Sequence, residues 1–125
     1  MKTLKALVVE DSPVVSDSLV AALEELAPIE VLGVTADEPS AVSWMEKHAE
    51  ECDVVITDIF LKSGSGLGVL RAGTQLPHKR MHMVVISNYA TPDMRRKCLE
   101  LGAEQVFDKS EEIDGLIAHC SRLAA

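Results

Sequence analysis

Residues Asp53-Val-Val-Ile-Thr-Asp58-Ile-Phe-Leu-Lys-Ser-Gly-Ser-Gly66 run from a short apolar core into a glycine-serine loop. Val54, Val55 and Ile56 are consecutive β-branched, apolar residues, the pattern of a strand covered on both faces. A strand of that kind needs helices on each side of its sheet, so this stretch points to the fold class. The run then reaches a carboxylate, Asp58, continues through Ile59, Phe60 and Leu61, and only afterwards enters the loop. An acid at the mouth of a buried strand, with apolar neighbours limiting its hydration, needs a chemical reason.

Outward from this strand, short apolar runs alternate with longer segments of helical period. Leu4 to Val9 reads as the first strand, and Ser12-Pro13 as an N-cap with a first-turn proline. The helix that follows puts Val15, Leu19, Leu23 and Leu26 on one face. Ile29 to Val34 is the second strand. Pro39 opens a second helix with Val42, Met45 and Ala49 inward. After the loop, Leu67 to Gln75 reads as a third helix weakened by Gly68 and Gly73. Met83 to Ser87 is the fourth strand. Thr91-Pro92-Asp93 starts a fourth helix with Met94, Cys98 and Leu101 inward, closed by Gly102. Gln105 to Asp108 is the fifth strand, and Ser110 caps a last helix carrying Ile113, Ile117, and Cys120 or Ser121. Five strands alternating with five helices predict an α/β, doubly wound parallel sheet joined by right-handed crossovers. The expected strand order is 2-1-3-4-5, the flavodoxin-like order, with ligands gathering at the strands' carboxyl ends beside the switch between strands 1 and 3.

Composition agrees with one domain over residues 1–125, since this length supports a single core. Aromatic residues make up only 3% of the chain, so the core must be aliphatic. The net charge of −8 argues against a nucleic-acid backbone or an anionic membrane as direct partner, because both favour a cationic surface. The small basic runs His78-Lys79-Arg80 and Arg95-Arg96-Lys97 read as a solvated loop and a solvated helix face. Cys52, Cys98 and Cys120 are odd in number and form no C-x-x-C pair, which suits a reduced, cytoplasmic chain. His78 and His82 read as loop residues rather than metal ligands. Lys5 and the Glu10-Asp11 pair break the first apolar run too early for a signal peptide, and no segment approaches membrane-spanning length.

In the expected topology Glu10 and Asp11 end strand 1, and Asp58 ends strand 3 beside it. Mutual repulsion among three carboxylates at one sheet edge would raise a pKa or demand a counter-charge. A hard divalent cation such as Mg²⁺ suits a shallow oxygen site of this kind. Ser87 ends strand 4, and Lys109 follows strand 5, roughly 10 Å from Asp58 at the usual strand spacing. Taken singly, each residue has a plain structural reading: a turn former, a helix cap, a solvated lysine, a polar strand end. Their joint placement at the ends of strands 1, 3, 4 and 5 is far harder to attribute to chance. Carboxylate, cation, ammonium and hydroxyl together can hold a phosphoryl group in transfer.

With VVEDS near the start, ITDIFL followed by Gly66, VISNYA and LGAEQVFDKS, the chain resembles the receiver domain of bacterial two-component response regulators over essentially its whole length, most like single-domain chemotaxis regulators. The resemblance implies that Asp58 accepts a phosphoryl group from a histidine of a sensor kinase or phosphotransfer protein. It also implies that Asp11, Asp58 and the Phe60 carbonyl bind Mg²⁺, with Glu10 acting through water. Lys109 would hold the phosphoryl group, and Ser87 would be the switch hydroxyl. The surface that docks a downstream partner would change with phosphorylation. Val14, Asp17, Ser18 and Ala21, on the outer face of the first helix, would meet the donor protein. Phe60 and Tyr89 occupy the two family positions that flank the approach of water, and as bulky rings they predict slow hydrolysis of the phosphorylated form.

Three departures from the family pattern stand out. Lys62 takes the place of a frequent proline, which should loosen the loop. Ser110 takes the place of a proline after the lysine, so a trans bond is expected there. Val106 takes the place of the switch aromatic, with Phe107 facing the other side of the sheet; Tyr89 turning inward is the available substitute. Rival readings are a receiver-like interaction module that works without phosphorylation, or the N-terminal receiver fragment of a longer regulator. A haloacid-dehalogenase-type hydrolase needs an acid where Phe60 stands. A flavodoxin needs hydrogen-bond donors where EDSPVVS is acidic.

Overall fold

The computed structural model describes residues 2–76 and 81–125. The chain alternates β1 (Leu4–Val9), α1 (Pro13–Leu26), β2 (Ile29–Thr35), α2 (Glu38–His48), β3 (Val54–Thr57), α3 (Gly66–Gln75), β4 (His82–Ser87), α4 (Pro92–Glu100), β5 (Gln105–Asp108) and α5 (Ile113–Ala124). All strand pairs are parallel, in the order β2-β1-β3-β4-β5. That is the expected doubly wound sheet. The four residues of β3 are all buried, as its unbroken apolar run requires.

Alternation along the strands divides the core into two layers. Leu4, Ala6, Val8 and Ile56 face α1 and α5, where Leu23, Leu116 and Cys120 close the layer. Leu7, Val9, Val55 and Val85 face α2, α3 and α4, against Met45, Leu70 and Cys98. The three cysteines are buried thiols. Burial raises the Cys98 pKa, and burial with the nearby Glu104 charge pushes Cys120 up to about 11, so neither is a ready nucleophile.

Several local expectations are corrected. The inward stripe of α1 is Ser16, Leu19 and Leu23, whereas Val15 and Leu26 are exposed. Ser16 tolerates burial because its hydroxyl donates to the Pro13 carbonyl at 3.1 Å. The inward stripe of α5 is Leu116, Cys120 and Ala124, with Ile113 and Ile117 only half-buried. Ser110 does not cap α5. Asp108 instead accepts from the amides of Ser110 and Glu111 at 2.8 and 3.1 Å, an Asx-type turn that delays the helix to Ile113. His82 is the first residue of β4 rather than loop, and its Nδ1 pairs with Glu104 at 2.6 Å. His78, Lys79 and Arg80 lie outside the described residues. The Lys109–Ser110 bond is trans, no cis peptide occurring among the described residues.

Candidate functional site

The carboxyl ends of β1, β3, β4 and β5 converge on one lysine. Glu10 leaves β1 with its amide held by the Thr35 carbonyl at 2.9 Å, and Asp58 leaves β3 with its amide held by Val9 at 3.0 Å. The Lys109 amide donates to the carbonyl of Ser87 at 3.1 Å, which ties the end of β5 to the end of β4. From there the Lys109 ammonium donates to Asp58 Oδ2 at 2.6 Å and to Glu10 Oε1. All three side chains are largely shielded, with exposures of 13%, 11% and 3% for Lys109, Asp58 and Glu10.

The remaining carboxylate oxygens are also committed. Asp58 Oδ1 accepts from the Ile59 amide at 2.7 Å, and Glu10 Oε2 from the Ser12 amide at 3.1 Å. Burial works against the charge on Lys109. The hydrogen bonds and charges of Asp58 and Glu10 outweigh it and raise the Lys109 pKa above its ordinary value. The lysine is therefore a fixed ammonium at neutral pH.

The ammonium expected beside the acids is thus in direct contact with two of them. Lys109 supplies the counter-charge for Glu10 and Asp58, while Asp11 is exposed on the bend after β1. Among the described residues no three acidic, histidine or cysteine side chains are grouped as a metal cage. The donor set that remains, the Asp11 and Asp58 carboxylates and backbone carbonyl oxygen, is nevertheless made of hard oxygens, the chemistry that suits Mg²⁺.

Ser87 is fully buried, and its Oγ accepts from the Tyr89 amide at 3.0 Å. Tyr89 does not turn inward to replace the missing aromatic. It is 61% exposed, and its ring meets Phe60 edge-on with centroids 4.9 Å apart. Phe60 is itself 53% exposed, so two of the chain's few aromatic rings form an outward-facing pair at the rim. Val106 and Phe107 face opposite core layers, as expected.

Two residues make contacts that the sequence did not announce. Arg95, read as part of a solvated face, donates from Nε to Ala90 O at 2.9 Å and from Nη1 to Val106 O at 2.7 Å. Its Nη2 donates to Glu112 Oε1 at 2.5 Å. One guanidinium thus ties the β4–α4 loop, β5 and the start of α5, using the rigid fork that a lysine lacks. The second is Glu38, whose Oε1 accepts from the Ser65 amide at 2.9 Å. The β3–α3 loop is therefore held despite Lys62. No pattern in the sequence marks either Glu38 or Arg95 for these contacts.

Residues 6–121 match the family described as response regulator receiver domain. A protein-glutamate methylesterase/protein-glutamine glutaminase of Anaeromyxobacter dehalogenans is 33% identical over 110 residues, covering 86% of this chain and 29% of that protein. A gliding motility regulatory protein of Myxococcus xanthus is 26% identical over 113 residues, covering 88% of this chain and 14% of its own length. The chain thus spans less than a third of either relative. Among solved structures, a CheX-CheY-BeF3-Mg complex from Borrelia burgdorferi aligns with a TM-score of 0.85 at 20% identity, covering 98% of this chain and 90% of that one. A DNA-binding response regulator of the LuxR family from Staphylococcus aureus aligns with a TM-score of 0.85 at 19% identity, covering 98% and 99%. At such identities these structures bear on the fold alone. Among the described residues no helix is long and apolar enough to cross a membrane.

Proposed function

The chain belongs to the family of response regulator receiver domains, and on that premise we propose that Asp58 is its phosphoryl acceptor. The donor is a phosphohistidine on a sensor histidine kinase or histidine phosphotransfer protein, and residues 1–125 act as one cytoplasmic receiver domain. The observation that carries this reading is the Lys109 ammonium held between Asp58 and Glu10 at the mouth of the sheet.

A carboxylate oxygen of Asp58 attacks phosphorus as the P–N bond to the donor imidazole breaks, and the electron pair of that bond leaves with the imidazole. Lys109 balances the carboxylates before transfer and pairs with a phosphoryl oxygen afterwards. Asp11, Asp58 and the Phe60 carbonyl are the residues that would hold Mg²⁺, with Glu10 reached through water. When bound, the cation offsets the charge that Lys109 alone cannot match on a dianionic phosphoryl group. Ser87, released from the Tyr89 amide, turns its hydroxyl to the phosphoryl group and pulls the β4–α4 loop. Arg95 links that loop to β5 and α5, so the surface offered to a downstream protein changes there. Phe60 and Tyr89 shield phosphorus from in-line water. The domain acts on no substrate beyond its own Asp58.

The test is intact-mass measurement after incubation with Mg²⁺ and a small phosphodonor. Wild type should gain one phosphoryl group, and Asp58→Asn none. Asp11→Ala should label poorly and bind the divalent cation weakly in a titration. Equal labelling in excess chelator would remove Mg²⁺ from the account.

A further inference from the structure

The loop that follows Asp58 is pinned from α2. Glu38 opens that helix; its amide donates to the Ser63 carbonyl at 2.9 Å, and its Oε1 accepts from the Ser65 amide at 2.9 Å. Ser65 is the N-cap of α3, and its Oγ accepts from the amides of Leu67 and Gly68 at 3.2 and 3.4 Å. In a capping box, a glutamate or glutamine three residues after the cap reaches back to the cap's own N–H. Here that third position is Gly68, which has no side chain to offer. Glu38, from a different helix, supplies the missing carboxylate.

Glycine makes the room for it. A Cβ at Gly68 would lie 2.3 Å from the Glu38 carboxylate, and one at Gly64, whose φ is +74°, would lie 2.5 Å from Glu38 Oε1. Negative charge at the N-terminus of α3 is also favoured by the helix dipole. From Ser65 the path to the acceptor is short. Ser65 forms an antiparallel bridge with Phe60, and the Gly66 amide donates to the Ile59 carbonyl at 2.7 Å. Gly66 itself packs on the acceptor's backbone, where a Cβ would come within 1.9 Å of the Asp58 carbonyl oxygen.

We infer that Glu38 is a positioning residue for phosphoryl acceptance: it completes the cap of α3 from α2 and so holds the 59–65 loop against Asp58. It does so without the loop-stiffening proline whose place Lys62 takes. This rests on Asp58 being the acceptor, and the test separates the two ideas.

Glu38→Ala, Glu38→Gln and Gly68→Ala are compared by two readouts: amide hydrogen exchange at Ser65 and Gly66 in the metal-free protein, and the rate of mass gain with Mg²⁺ and a small phosphodonor. Glu38→Ala should raise exchange at Ser65 by about tenfold or more, as loss of a charge-assisted hydrogen bond implies. It should slow labelling by about tenfold through misplacement of the loop. Glu38→Gln should restore both, because its amide oxygen accepts the same N–H. Gly68→Ala should reproduce Glu38→Ala by evicting the carboxylate, and it carries the comparison if Glu38→Ala does not fold. Unchanged exchange in Glu38→Ala overturns the inference. Faster exchange with wild-type labelling also overturns it, since Glu38 would then be only a helix cap. Failure of Glu38→Gln to rescue overturns the hydrogen-bond account. Asp58→Asn labelled like wild type would instead overturn the acceptor reading, while exchange still reports whether Glu38 holds the loop.

Discussion

Replacing Lys109 with methionine isolates what the ammonium does, because methionine keeps most of the side-chain length and removes the charge together with its N–H donors. At an effective dielectric constant of about 20, unit charges about 4 Å apart attract by about 4 kcal/mol. Two carboxylates on one ammonium therefore give about 8 kcal/mol gross, against a desolvation cost of several kcal/mol per ion. Removing one partner from a shielded pair costs about 3–5 kcal/mol, because the remaining charge loses its compensation. The lysine keeps 13% exposure and the site opens to water at the sheet edge, so the lower end applies, about 3 kcal/mol. That is a large part of the stability of a small domain.

The assay is urea unfolding at pH 7 in chelator, with Glu10→Gln as the second arm of a double-mutant cycle. Lys109→Met should lose about 3 kcal/mol, and Glu10→Gln added to it should restore at least about 1 kcal/mol by removing one uncompensated charge. The pH dependence has a definite sign. The folded pKa of Lys109 is raised above 10.5, so its contribution is complete below 10.5 and is lost as pH rises through the folded pKa. The gap between wild type and Lys109→Met should therefore persist across neutral pH and close only in strong alkali. A loss below about 1 kcal/mol, the size of an exposed ion pair, with no recovery from Glu10→Gln, would refute the coupling.

Phe60→Asn and Tyr89→Ala should each shorten the lifetime of the phosphorylated form, followed by loss of the added mass; if neither does, the edge-on ring pair is packing and water arrives by another path. Val14→Glu, at a position 77% exposed on the outer face of α1, should slow transfer from a protein donor while labelling by a small donor stays normal, and loss of both would point to a damaged fold. Gly66→Ala should destabilise the domain by more than about 1 kcal/mol, the cost of an ordinary substitution, and impair labelling. Its Cβ would meet backbone at Asp58 and Ile59, so a thermal midpoint equal to wild type would show that the loop gives way without cost.

The strands to within a residue, the starts of α1 and α4, and the sheet order were legible because each rests on neighbouring residues. The Val54–Ile56 run, the Ser12-Pro13 and Thr91-Pro92 starts and the 2-then-3.6 periodicity are local signals, and parallel crossover rules convert them into a topology. That topology by itself brings Glu10, Asp58, Ser87 and Lys109 to one edge of the sheet. It did not say what would lie between the acids, because Lys109 reaches Glu10 across 99 positions of sequence and only side-chain packing decides where an ammonium settles. The inward stripes of α1 and α5 were legible only in part, with Leu19, Leu23 and Cys120 buried as expected and Val15 and Leu26 exposed, for a related reason. Both helices carry apolar residues on more than one face, so the period alone does not select Leu23 over Leu26 or Leu116 over Ile113, and only packing against the sheet does. Arg95 was read as part of a solvated face and Glu38 was not singled out, since most of their partners are backbone groups, and a backbone amide or carbonyl carries little residue identity for a sequence to display. Those contacts exist only once the tertiary structure has brought the loops within reach.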